Sequence, residues 1–145
     1  MTYSFRFLDD IALADLAFEA SGDTLQDVFQ GATNAVIESL ANPATVGSGW
    51  QKALAHEDED PAALLFDWLS DLVYWKDADC VVYSRSDVRL AQGENGLWKL
   101  HARVYGDPVK ASTQELRADV KGVTKHLYRL VRGGGGWKAR VVLDV

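Results

Sequence analysis

Apolar and polar residues alternate from Tyr3 to Phe7, with Ser4 and Arg6 between the aromatics, which predicts an extended start. A second alternating run, Leu16-Ala17-Phe18-Glu19-Ala20, stops at Gly22. The period then changes. Leu25, Val28, Phe29, Ala32, Ala35, Val36 and Leu40 recur at three- and four-residue steps and form one stripe of a helix over Thr24–Leu40. Thr24 suits its N-cap, Asp27 suits the positive helix start, and Asn42-Pro43 ends it. Trp50, Lys52 and Leu54 alternate with Gln51, Ala53 and Ala55, a strand pattern. The charged run from His56 to Asp60 reads as a solvated turn, at whose end Asp60 caps a second helix with Pro61 in its first position. Leu64, Leu65, Trp68, Leu69, Leu72 and Val73 form that helix's apolar face.

Beyond it the pattern is β. Cys80–Tyr83 and Val88–Leu90 read as short strands, and Trp98, Leu100, Ala102 and Val104 alternate with polar residues. Leu127, Arg129 and Val131 oppose His126, Tyr128 and Leu130 less tidily. Trp137, Ala139, Val141, Leu143 and Val145 alternate again after Gly133–Gly136, four glycines best explained as a hairpin turn. Two helices with single apolar stripes need a surface to cover, and the strands supply it. The expectation is an α+β fold, two helices packed on mainly antiparallel sheets, in one domain over residues 1–145.

Composition narrows the class. With 145 residues, 48% hydrophobic and 25% charged, the chain is of ordinary globular type. The lone Cys80 excludes an internal disulfide framework and a cysteine-cluster zinc site. No apolar run is long enough for a membrane span, and the start of the chain lacks the order of a signal peptide, so a soluble, cytoplasmic protein is expected. The net charge of −6 is unevenly distributed: residues 1–98 hold 5 basic and 17 acidic residues, residues 99–145 hold 10 and 4. A two-signed surface able to steer a charged partner would follow, unless the signs interleave on folding.

Zincin, Walker and nucleophile-elbow motifs are absent. His56, His101 and His126 lie far apart and read as surface or half-buried polar residues, and Cys80 reads as a buried, inert thiol. The acids are more informative. Asp15 sits inside the apolar run Ile11–Phe18, where an ionised carboxylate is costly unless paired, hydrogen-bonded or bound to metal. Asp144 closes the last strand beside the carboxylate of Val145. If the strands adjoin, these groups repel one another, and a hard divalent cation with oxygen ligands would relieve the repulsion. The alternative is Asp144 in open solvent and Asp15 at a strand edge. Lys121, in Asp119-Val120-Lys121-Gly122-Val123-Thr124-Lys125-His126, is a point charge suited to phosphate or to a partner's carboxylate.

Taken together these segments resemble the archease family. Ala14-Asp15-Leu16-Ala17-Phe18 is similar to the second half of its His-Thr-Ala-Asp block. Gly22–Phe29 resembles its glycine-led first helix, Leu64–Tyr74 its second helix, Val120–His126 its "VKAVTYH" block, and Val141–Val145 its chain end. The resemblance implies two helices on antiparallel sheets in three layers. It implies a non-enzymatic activator of the RtcB-type RNA ligase of tRNA splicing, promoting that ligase's GTP-dependent guanylylation and repeated turnover. It implies Asp15, Asp144 and the Val145 carboxylate as ligands of a divalent metal, with Ca²⁺ foremost and Mg²⁺ or Mn²⁺ as alternatives, and Lys121 as the lysine needed for activation. RNA and GTP would be met through the ligase. Two departures stand out: Ala12 and Leu13 replace the family's His and Thr, and Ala111–Leu116 lacks a histidine often found there. Two other classes remain, an acid–base or hydrolytic enzyme using Asp15 and Asp144, and an RNA- or protein-binding chaperone-like module.

Overall fold

The computed structural model describes residues 3–8 and 15–145. In chain order they form β1 (Tyr3–Phe7), β2 (Leu16–Gly22), α1 (Leu25–Leu40), a 3₁₀ turn (Pro43–Thr45), β3 (Trp50–Asp58), α2 (Pro61–Ala78), β4 (Val81–Gln92), β5 (Trp98–Pro108), β6 (Gly122–Gly133) and β7 (Gly136–Asp144). The strands make two antiparallel sheets, one ordered β1-β2-β7-β6 and the other β3-β5-β4. The helices lie between them. α1 packs chiefly on β4, β2 and β1 and also meets β7, while α2 packs chiefly on β6 and β3 and also meets β4 and β5. This is the expected α+β architecture in three layers.

Both helices start as their sequences dictate. The Thr24 hydroxyl accepts from the Asp27 amide at 3.1 Å, and the Asp60 carboxylate accepts from the Ala62 amide at 2.9 Å, with Pro61 in the first turn. Both predicted stripes are buried. Between the layers, Trp68 is fully buried; its indole Nε1 donates to Thr33 Oγ1 at 2.8 Å, and that hydroxyl donates to the Phe29 carbonyl at 2.7 Å. The buried Tyr83 hydroxyl donates to the Leu72 carbonyl at 2.6 Å, and burial, aided by Asp79, Asp77 and Asp71, pushes its ionisation far above the ordinary tyrosine range. Two glutamines of α1 clasp the edge of β4. Gln30 Oε1 accepts from the Val88 amide at 3.3 Å, Gln26 Oε1 accepts from the Leu90 amide at 2.6 Å, and Gln26 Nε2 donates to the Val88 carbonyl.

Four local expectations need correction. Strand β3 runs through His56 and Glu57 to Asp58 instead of turning, because both side chains meet partners on opposite faces: Glu57 lies opposite Lys99, and His56 Nε2 sits 2.7 Å from Asp71 Oδ2 of α2. The two short strands after Cys80 are one, β4, with an irregularity between Tyr83 and Arg85. Cys80 is exposed, not buried: it follows the C-cap of α2 at φ 51°, the left-handed turn by which helices commonly end, which directs its side chain outward. In β6 the alternation breaks between Thr124 and Arg129, where Leu127 has φ 56° and stands exposed. The glycine hairpin forms as expected, with Gly134 and Gly135 at positive φ.

Candidate functional site

The candidate residues are brought together by strand register. In the β2–β7 ladder the last pair is Leu16 with Leu143, and one step beyond lie Asp15 and Asp144. Facing positions of such a ladder are about 5 Å apart. On the other side of β7, Asp144 pairs with Gly122 of β6, and the Lys121 amide donates to the Asp144 carbonyl at 2.7 Å. Asp15, Asp144 and Lys121 therefore stand at the same end of three adjacent strands, with Val145 the next residue of the chain. Phe18, Val141 and Leu143 point into the core, so alternation puts Asp15 and Asp144 on the opposite, outward side of the sheet. Asp15 is half-buried; Asp144, Val145 and Lys121 are exposed. Neither Asp15 nor Asp144 has an ion pair among the described residues.

The carboxylates of Asp15 and Asp144 offer oxygen donors, the chemistry that suits a hard divalent cation. They do not by themselves complete its coordination. No group of three His, Cys, Asp or Glu suited to a metal occurs among the described residues. The apolar run Ile11–Ala14, with Ala12 and Leu13 in it, lies outside the described residues.

Lys121 is held by its neighbours. Val120 is buried, and Asp119 accepts from the buried Lys76 ammonium at 2.7 Å, while Asp77 lies 2.9 Å from the same nitrogen. Burial opposes the Lys76 charge, but the two carboxylates outweigh it and hold its pKa above the ordinary lysine value. The Lys76 hydrogen bond and charge hold the Asp119 carboxyl below its ordinary range, helped by Lys121. A carboxyl whose pKa is lower in the folded state stabilises above its unfolded pKa of 3.8 and loses that contribution as pH falls through the folded value. Asp119 is itself exposed, so the effect is at most about 1 kcal/mol. Urea unfolding of Asp119→Asn should show it less stable than wild type at pH 7, with the gap closing as the pH is taken below 3.8.

Beside Lys121 a groove of about 580 Å³ runs between β6 and the end of α2, lined by Ser70, Val73, Tyr74, Asp77 and Val123 among others. Tyr74 is 67% exposed there, although its neighbours Val73 and Trp75 are buried. His56, His101 and His126 are exposed and dispersed, as expected. No helix among the described residues is long and apolar enough to cross a membrane.

Comparison with known proteins places this geometry in context. The Archease protein family matches residues 5–145. The protein named archease from Methanothermobacter thermautotrophicus is 32% identical over 141 residues, covering 97% of this chain and 98% of that one. The archease of Methanosarcina mazei is 30% identical, covering 91% and 90%. Among solved structures, protein 1598 of Methanobacterium thermoautotrophicum superposes with a TM-score of 0.82 at 30% identity, covering 97% of this chain and 98% of that one. A Thermotoga maritima archease, described as a possible chaperone, shares the fold at a TM-score of 0.62 and 21% identity, over 92% and 93% of the two chains.

Proposed function

The chain belongs to the archease protein family, and on that premise we propose that it is a non-catalytic protein cofactor of an RtcB-type RNA ligase, promoting the ligase's GTP-dependent guanylylation and repeated turnover in tRNA splicing. The observation that supports this reading is the shared end of three adjacent strands, where Asp15 and Asp144 stand on the outward face and Lys121 follows on the side of α2. On this reading Asp15, Asp144 and the Val145 carboxylate hold a divalent cation, with Ca²⁺ favoured over Mg²⁺ or Mn²⁺ because an irregular, water-completed oxygen set suits the larger ion. A divalent cation at such a place supplies charge neutralisation toward phosphate oxygens.

The protein's own groups do the rest. Asp15 and Asp144 present oxygens from two strands fixed by a continuous ladder. Lys121 extends an ammonium toward nucleotide phosphate or an acidic partner surface, and the buried Val120 beside it limits its wandering. Tyr74 gives the adjoining groove an aromatic anchor for the ligase.

The test is guanylylation of the ligase in the presence of wild type, Asp15→Ala, Asp144→Ala and Lys121→Ala. Each variant should lose at least tenfold in activation; full activity in all three defeats the proposal. A variant lengthened by one residue past Val145 examines the third ligand, because it moves the terminal carboxylate by about 3.3 Å or more. A second reading, an RNA- or protein-binding chaperone-like module, is favoured by the name of the Thermotoga maritima relative. It would be selected by variants that still bind the ligase while wild type gives no stimulation.

A further inference from the structure

One row of side chains crosses the whole outward face of the four-stranded sheet. Arg6 of β1 pairs with Glu19 of β2, Glu19 with Arg140 of β7, and Arg140 with Arg129 of β6. Its only carboxylate, on Glu19, is taken by others: Arg6 Nη2 lies 3.3 Å away and Lys138 Nζ 3.7 Å. Arg140 and Arg129 are left facing each other across a ladder with no carboxylate among the described residues, an arrangement of like charges that opposes pairing of the strands.

A second observation points the same way. Among the described residues only two buried side-chain polar atoms have no hydrogen-bond partner, Arg140 Nε and Thr124 Oγ1. Thr124 lies opposite Val142, so it occupies the same outward face one row from Arg140. Both atoms can donate, and neither has an acceptor. Buried polar groups are almost always satisfied in a working protein, and two unpaired guanidinium groups, one with its Nε unpartnered, beside an unpartnered hydroxyl call for an oxyanion.

We propose that Arg140, Arg129 and Thr124 form a binding site for a phosphate group. Two planar guanidinium forks at facing ladder positions offer more donors than a carboxylate's two oxygens use, and they suit a phosphate; Thr124 adds a hydroxyl one row away. None of the ladder-paired residues on this face is aromatic, so no paired position stacks a base and recognition is of phosphate, independent of sequence. The arginine pair is separate from the acidic ladder end: Asp144 follows Arg140 by four residues on the same face, about 13 Å along the strand, with Thr124 in the row between. The phosphate can belong to a free nucleotide or to an RNA backbone.

The experiment titrates the purified chain with pyrophosphate, GTP, a labelled 12-nucleotide single-stranded RNA without a terminal phosphate, and poly-glutamate. Arg140→Gln and Arg129→Gln are each expected to weaken the phosphate ligand at least tenfold, whereas Lys99→Gln, on the other sheet, leaves it unchanged. RNA displaced by pyrophosphate assigns the site to a free phosphate; RNA binding that pyrophosphate does not compete, with each arginine change flattening the salt dependence by about 0.7, assigns it to the backbone. Arg129 is exposed, so its variant is expected to keep the wild-type melting profile even where the Arg140 variant does not. Absence of binding by every phosphate probe overturns the proposal, as does wild-type affinity in both variants or equal affinity for poly-glutamate. Asp144→Asn should retain phosphate binding, so failure of the metal reading and failure of this one are told apart.

Discussion

Saturating Ca²⁺ is expected to raise the melting temperature of the wild-type chain by about 5–10 °C and to leave Asp144→Asn unmoved. An ion at a hundred times its dissociation constant stabilises the folded state by about 2.7 kcal/mol, and a chain of this length gains about 2–4 °C per kcal/mol. Without the ion the order should reverse. Asp15 and Asp144 face each other one step past the Leu16–Leu143 pair, with no cation partner among the described residues, so removing one charge relieves repulsion worth about 1 kcal/mol or less. Asp144→Asn should therefore melt above wild type in EDTA and below it in calcium. That crossing separates an ion site from a mere strand end, because a structural role moves both conditions in one direction. Calorimetry in the two buffers decides it; parallel behaviour of the two proteins removes the cation from the proposal.

Trp68→Ala is expected to cost about 3–5 kcal/mol, the range for deleting a fully buried large aromatic. The side chain sits between the helices with its ring 6.1 Å from that of Trp75, edge to face, and its indole N–H begins the chain of hydrogen bonds through Thr33 to the Phe29 carbonyl. Deletion opens a cavity at the junction of α1 and α2 and leaves Thr33 without its donor. Thr33→Val dissects the two contributions: it keeps the volume but strands the indole N–H, and should cost about 1–3 kcal/mol. Urea unfolding measures both. A Trp68→Ala loss below that of Thr33→Val would mean the layers collapse around the gap.

The parts of the fold that declare themselves in the sequence are governed by neighbours along the chain. Thr24 and Asp60 announce helix starts because a cap acts within three residues, and Gly134 and Gly135 announce a turn because it needs positive φ. The errors share the opposite cause. Glu57 belongs to a strand only because Lys99, far along the chain, stands opposite it. Cys80 looks like the first residue of an apolar strand until the end of α2 claims it for a left-handed turn. The candidate site was legible as three suspicious residues, Asp15, Asp144 and Lys121, and the archease-like segments around them made them suspicious together. Their meeting at one ladder end is a matter of register, which single-strand alternation does not contain. The arginine row was missed for the same reason: Arg129 and Arg140 are unremarkable until the β6–β7 pairing sets them face to face.

The glutamine clasp on β4 has a consequence for assembly. A sheet margin with free amides and carbonyls invites another chain to extend it, and β4 is 12 residues long. With Gln26 and Gln30 already occupying the Val88 and Leu90 groups, an incoming strand would have to evict α1, and with it the core that α1 closes. Runaway stacking of copies is thus blocked at that margin. A companion that recognises this protein by lending it a strand is steered to the opposite border of the same sheet, β3, where Lys52, His56 and Glu57 filter what can align.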